Sequence, residues 1–337
     1  VGIARQENIY KSLLMIPQNA SLYEATVDWA GYYMAVVQSG KIYIVQENFD
    51  VTKTIDAEAT LVHELTHIMQ NFKNIPQHYY SFDGNKARTA LTEGDASFTA
   101  SFIKNQTLQN NQPNIINQQY IIQPIALTEH NEIYAIYPAI PDSVSKLNYF
   151  PYDYGEKFIQ TLYEKGGWET VNQAYKNPPN STEQILHPEK YFTAEIPKTA
   201  TEITPPPTAV KEWRRTYTAQ YGEFFIQNML ATNLTKDSAQ QAAAGWGADK
   251  LAYYTNTNQN STNTYLITWN ITWDTVNDAE EFFLAFNNYM NNAGAQQTQI
   301  NHWQTNQIHQ KIIWNQNSTN TIIIATNNPT TLEQITP

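Results

Sequence analysis

Cysteine is absent from the 337-residue chain. Its absence excludes disulfides, thiolate metal sites and cysteine nucleophiles, and leaves His, Asp and Glu as the metal-ligating side chains. Charge is also scarce, at 15% of residues against the roughly 25% of ordinary soluble domains. The 20 basic side chains are outnumbered by 31 acidic ones, for a net charge of −11, and no basic run occurs. Such a surface cannot track a phosphate backbone, so nucleic-acid binding is excluded. No apolar run reaches the ~18 residues of a membrane-spanning helix, and no signal-peptide core is present. The chain begins at Val1 and is expected to be a trimmed soluble region whose targeting segment has been removed.

Neutral amides and hydroxyls take the place of the missing charge, with 35 Asn and many Gln, Ser and Thr beside them. Apolar residues make up 41%, including 22 Tyr, 13 Phe and 8 Trp, enough for one large or two ordinary cores. Asn-x-Ser/Thr acceptors stand at Asn19, Asn105, Asn180, Asn233, Asn260, Asn270 and Asn317. Together with the low charge they predict an extracellular or cell-surface protein carrying N-glycans. An acidic medium fits as well, because amides stay neutral where carboxylates protonate.

The apolar-spaced segment 10–16 is followed by two runs, 29–37 and 41–45, that alternate or run apolar around Ser39-Gly40 and read as a hairpin or neighbouring strands. Over residues 56–72 apolar side chains recur at three- and four-residue steps behind Asp56, a candidate N-cap, which predicts a helix. Further helices are predicted over 87–103, 154–175, with Gly166-Gly167 breaking it, and 182–191. The Asn- and Gln-rich stretch 104–123 reads as a surface excursion. Prolines across 196–210 mark an extended connector and a domain boundary. Beyond it, helices are expected over 217–232, 238–244 and 278–291, and strands over 250–254, 265–273, 311–314 and 321–326. Strands paired with helices make this region an α+β sandwich. Its tryptophans, Trp246, Trp269, Trp273 and Trp314, are expected to pack a core rather than line a groove.

The helix over 56–72 contains His63-Glu64-Leu65-Thr66-His67, an H-E-x-x-H pattern. Residues four apart share a helical face, so His63 and His67 can offer two imidazole nitrogens to one cation, with Glu64 placed as a base beside them. A catalytic zinc needs a third protein ligand and one open position. The three-histidine version requires Gly at 70 and His at 73, where the chain has Gln70 and Lys73. In the glutamate version Glu93, on the following helix, is the candidate; Asp95 could ligate in its place or hydrogen-bond a ligand imidazole.

These residues resemble a group of bacterial and archaeal secreted or lipid-anchored zincins with glutamate as third ligand. Tyr32, the HELTH run, Gln70, Phe72 and Ala90-Leu91-Thr92-Glu93-Gly94-Asp95-Ala96 carry the likeness. It continues in Phe150-Pro151-Tyr152, Gly155, Phe158, Gly166-Gly167-Trp168, the run Ser181-Thr182-Glu183-Gln184 through His187-Pro188-Glu189-Lys190-Tyr191, Gly222-Glu223-Phe224, Gly245-Trp246-Gly247 and Asp278-Ala279-Glu280-Glu281-Phe282. The resemblance implies a gluzincin-type metallopeptidase with an appended α/β domain, in a group whose substrates are mostly unassigned. Where such enzymes usually carry Asp four residues after the third ligand, this chain has Ser97, with Asp95 and Asp153 as substitutes.

The fold expected is therefore α+β: a zincin-like N-terminal metallopeptidase domain, with a mixed sheet and active-site helices, and a mostly helical subdomain over 1–204, then a C-terminal α/β sandwich over 208–337. The expected activity is peptide-bond hydrolysis with Zn2+ on His63, His67 and Glu93 and with Glu64 as general base. His187, inside the resembling block, is the first candidate for the oxyanion donor. Tyr152, Tyr154 and Tyr191 follow, with helix capping and packing as the competing role of His187 and Tyr191. His78, His130, His302 and His309 belong to no pattern. Expected partners are a protein or peptide substrate and a cell surface or S-layer. The rival reading is a surface structural or binding protein that keeps the fold with little turnover.

Overall fold

The computed structural model describes residues 2–73, 81–111, 140–206, 212–257 and 263–335. The chain forms two compact units, one of Val1–Leu22, Ser81–Asp83 and Ile196–Pro337, the other of Tyr23–Tyr80 and Gly84–Glu195. The boundary thus falls at 195/196 rather than 204/208, and the first 22 residues join the C-terminal unit. Long-range hydrogen bonds are the reason: Tyr289 Oη donates to Leu13 O at 2.6 Å, Gln310 Nε2 donates to Ser12 O, and Ser12 Oγ pairs with Tyr265 Oη at 2.7 Å.

Helix α1 (Gly2–Ser12) buries Ile9 and Tyr10 in that unit. Helix α2 (Leu22–Ala30) leads into the other unit and takes in Trp29, so the expected strand is confined to β1 (Ala35–Gln38). Ser39 and Gly40, both at positive φ, turn the chain into β2 (Lys41–Ile44). This antiparallel pair stands where a larger mixed sheet is expected.

Helix α3 (Thr54–Gln70) carries HELTH. It starts two residues before Asp56, whose carboxylate pairs with Lys104 at 2.8 Å instead of capping the helix. Part of its apolar stripe faces outward: Leu65 and Met69, with Phe72 just beyond the helix, are 51%, 61% and 77% exposed, while Leu61, Val62 and Ile68 are half-buried. The inward face carries Ala59, Glu64 and Gln70.

Helix α4 (Phe82–Asn111) is longer than expected at both ends. It takes in 104–111 of the predicted excursion, and 112–123 lies outside the described residues. Helix α5 (Asp142–Lys176) runs through Pro151 and leaves helical geometry at Gly166 and Gly167. Short helices α6 (Thr182–Leu186), capped by Ser181, and α7 (Pro188–Phe192) follow. Helices α4 and α5 cross with their backbones in contact. A Cβ on Gly94 would lie 2.2 Å from the Gly155 carbonyl carbon, and one on Gly155 would lie 2.3 Å from Ala90 O.

In the C-terminal unit, residues 196–206 lie along the sheet, since Thr268 Oγ1 donates to Ile203 O and Asn270 Nδ2 donates to Thr201 O. Then come β3 (Trp213–Ala219), α8 (Gly222–Leu230), α9 (Lys236–Ala243), β4 (Trp246–Asn256), β5 (Tyr265–Trp273), α10 (Val276–Asn292), β6 (Gln296–Gln299), β7 (His302–Gln304), β8 (His309–Trp314), β9 (Asn320–Thr326) and α11 (Pro329–Gln334). The strands form one antiparallel sheet in the order β3-β4-β5-β9-β8-β7-β6. The molecule is α+β. The helix expected over 217–232 loses its start to β3, where Tyr217, Thr218 and Ala219 pair with Tyr253, Ala252 and Leu251. Gly222, at φ 84°, then turns strand into helix.

Trp246, Trp269 and Trp273 are fully buried, as expected for core packing; Trp269 meets Phe225 and Trp273 meets Phe282. Trp314 packs on Phe283. At the centre of this core Asp249 accepts from the backbone N–H groups of Tyr221 and Gly222 and from the indoles of Trp246 and Trp269. One expected glycan is excluded: Asn270 is buried within β5, where no oligosaccharide could reach its amide.

Candidate metal centre

Successive turns of α3 bring His63 and His67 onto its inward face, with ring centroids 4.8 Å apart and planes at 81°. From α4, Glu93 Oε2 approaches to 3.3 Å of His63 Nε2 and 3.2 Å of His67 Nε2, and the two Nε2 atoms are 3.1 Å apart. Four-coordinate zinc with ligands at ~2.0–2.1 Å separates neighbouring donors by about 3.3 Å. The three atoms therefore have the spacing of one face of a zinc tetrahedron. Candidate donors from two helices of the same unit thus meet.

The electrostatics suit a cation. Burial alone would raise the Glu93 carboxyl, but hydrogen bonds and charge from His63 and His67 outweigh it and bring the group down to about 2. Burial likewise opposes the His67 imidazolium, yet Glu93, Gln70 and Glu64 together hold it up to about 9. The donor set thus carries a fixed negative charge with two imidazoles drawn toward it. Glu64 is 7% exposed. Burial raises its carboxyl above the ordinary range, partly offset by His63, His67 and the backbone N–H of Val37 on β1.

A residue given no role above orients this centre. His67 Nδ1 lies 2.9 Å from Gln70 Oε1, while Gln70 Nε2 donates to Thr92 O at 2.9 Å and to Asp95 Oδ2 at 3.3 Å. With the amide nitrogen committed to two acceptors, its oxygen faces the ring, so Nδ1 carries a hydrogen and Nε2, turned to Glu93, is the nitrogen whose proton a metal would displace. Asp95 also accepts from Lys73 and Tyr175. It therefore acts on the imidazole through Gln70 rather than as a ligand. Asp153, the other expected substitute, has its own carboxyl raised by burial to about 6, and its charge raises that of Glu156. The signal for Gln70 was its place three residues after His67 on one helical face.

His187 sits between α6 and α7, 35% exposed, with Nδ1 3.8 Å from Glu189. Tyr191 Oη donates to Asn177 O, and its ring meets Phe158 edge-on. Tyr154 stacks on Phe150. Tyr152 stacks on the His63 ring, with centroids 6.1 Å apart. His302 and His309 lie on β7 and β8, and His78 and His130 lie outside the described residues.

A cavity of about 330 Å³ opens beside His63 and Glu64, with Tyr149, Tyr152 and Ser97 in its wall; His187 is not among its lining residues.

Residues 211–336 match a family described as a domain of unknown function, DUF8575. The DUF8575 region covers the sheet from β3 to β9 with helices α8–α11, whereas His63, Glu64, His67 and Glu93 precede it. No curated protein matches the chain. No solved structure does either.

Proposed function

We propose that the protein is a zinc-dependent peptidase of the glutamate-zincin kind, with a zincin-like metal-binding unit followed by the DUF8575 region. The observation that carries this reading is the triangle of His63 Nε2, His67 Nε2 and Glu93 Oε2, 3.1–3.3 Å on a side, with the buried Glu64 carboxyl next to it. Bound there, zinc supplies Lewis acidity toward a peptide carbonyl and toward water. Glu64, raised by burial, takes the proton of the attacking water and returns it to the departing amine. Tyr152, stacked on His63, is better placed to donate to the developing oxyanion than His187 at the α6–α7 junction. The charge-poor surface supports an extracytoplasmic location, with N-glycans at Asn19, Asn105, Asn180, Asn233 or Asn317; Asn260 lies outside the described residues.

The test is metal content together with digestion of a peptide library. Zinc should bind one per chain, and Glu64→Gln should keep zinc and fold while losing ~10²–10⁴-fold in turnover. Tyr152→Phe should slow turnover more than His187→Ala. A zinc-loaded wild type that cleaves no peptide would overturn the hydrolytic reading in favour of a surface-binding or structural role.

A further inference from the structure

The cavity beside Glu64 has a composition of its own. Trp29, Tyr32, Tyr33, Phe49, Tyr149 and Tyr152 supply its walls, and all belong to the unit that holds the metal donors. The rings form a connected series. Trp29 meets Tyr149 edge-on at 4.9 Å, Tyr149 meets Tyr152 at 6.3 Å, and Tyr152 stacks on His63 at 6.1 Å. Of the charged groups in the wall, Asp56 and Lys104 pair at 2.8 Å, with Asp50, Lys53 and Glu64 beside them. A volume of about 330 Å³ is at the low end of the ~300–1,000 Å³ typical of ligand clefts. It holds one large side chain rather than a folded segment.

We propose that this cavity receives an aromatic side chain of the substrate, from a residue adjoining the bond that is cut, and that Trp29 and Tyr33 help select it. The assignment rests on the hydrolytic reading of the neighbouring centre, because His63 and Glu64 form one wall of the cavity and fix its distance from the reacting carbonyl. Aromatic rings favour edge-to-face and offset partners, and this wall offers several rings already set at such angles. A charged side chain would lose hydration on entering among these rings, a cost that an aromatic side chain does not meet.

Two measurements on the whole chain separate the inference from the reading beneath it. In a peptide library cleaved by the zinc-loaded protein, Phe, Tyr or Trp should exceed Ala about tenfold at one position flanking the cut. Trp29→Leu should reduce that ratio severalfold; Tyr33→Ala, at a more exposed ring, should do so without risk to folding. Independently, N-acetyl-tyrosinamide should quench tryptophan fluorescence saturably in the metal-free Glu64→Gln protein, whereas N-acetyl-aspartamide should not. Cleavage with no aromatic preference and no saturable quenching would overturn the pocket assignment and leave hydrolysis standing. Saturable quenching without any cleavage would overturn hydrolysis and leave the aromatic site.

Discussion

Gln70 turns its amide oxygen to His67 Nδ1 at 2.9 Å and anchors its amide nitrogen on Thr92 O and Asp95, so a single side chain ties the imidazole of α3 to the helix that delivers Glu93. That link sets which ring nitrogen of His67 can bind a metal. Replacing the amide side chain by an apolar one of similar size removes the hydrogen bond and frees the ring to rotate and change tautomer. Gln70→Leu should therefore weaken zinc binding ~10–100-fold. Competition with a chelator of known affinity measures this, and unchanged affinity would mean that His67 is oriented by another group.

Glu93 is followed by Gly94, whose Cα faces the Gly155 backbone of α5. An alanine methyl at 94 would sit 2.2 Å from a carbonyl carbon, inside any attainable contact, so the helices must separate. The cost should be about 2–3 kcal/mol or more, and the shift moves Glu93 away from the two histidines. Gly94→Ala and Gly155→Ala are expected to lower the melting temperature and lose zinc together. Gly2→Ala, with nothing within 4 Å of the new methyl, should do neither.

Glu156, 1% exposed on α5, has its carboxyl raised by burial from 4.5 to about 7, with the charge of Asp153 adding to the effect and Ser101 and Lys157 opposing it. The folded state thus holds a proton that the unfolded chain gives up more easily. Below pH 4.5 both states are protonated and this contribution to stability is complete; it drains away as pH rises to about 7 and is absent above. The loss is about 3 kcal/mol, and Asp153, raised by burial to about 6, acts in the same direction. Denaturant unfolding in the presence of a chelator should show wild type losing stability from pH 4 to 8. Glu156→Gln should flatten that slope and be the more stable protein at pH 8. The direction agrees with the acidic medium that the amide-rich surface suggests.

Asp249 collects four N–H donors at the centre of the DUF8575 region. Burial raises its carboxyl, and those donors oppose the rise. Removing the acceptor strands all four, at about 1–3 kcal/mol for each donor left unpaired. Asp249→Ala should unfold the C-terminal unit at ordinary temperature, as read by near-ultraviolet dichroism of Trp246 and Trp269. A folded variant within about 1 kcal/mol of wild type would show that water replaces the carboxylate without loss.

The sequence by itself determined the HELTH helix, the candidate donors His63, His67 and Glu93 that the structure brings together, and most of the C-terminal elements. These rest on short-range rules: a four-residue step places two histidines on one face, and runs rich in β-branched and aromatic residues such as 265–273 favour a strand. It did not determine which face of α3 is buried. Leu65 and Met69 have the spacing of a core stripe, yet the polar face with Glu64 and Gln70 turns inward, because Thr92 O, Glu93 and Asp95, the partners of Gln70, His63 and His67, lie on α4. Nor did it reveal that residues 1–22 complete the C-terminal unit, that 217–219 belong to a strand, or that Gln70 fixes His67. Each of these depends on a partner far along the chain, Leu13 on Tyr289, Tyr217 on Tyr253, Gln70 on Asp95, and local pattern carries no information about such a partner until tertiary packing brings it into contact.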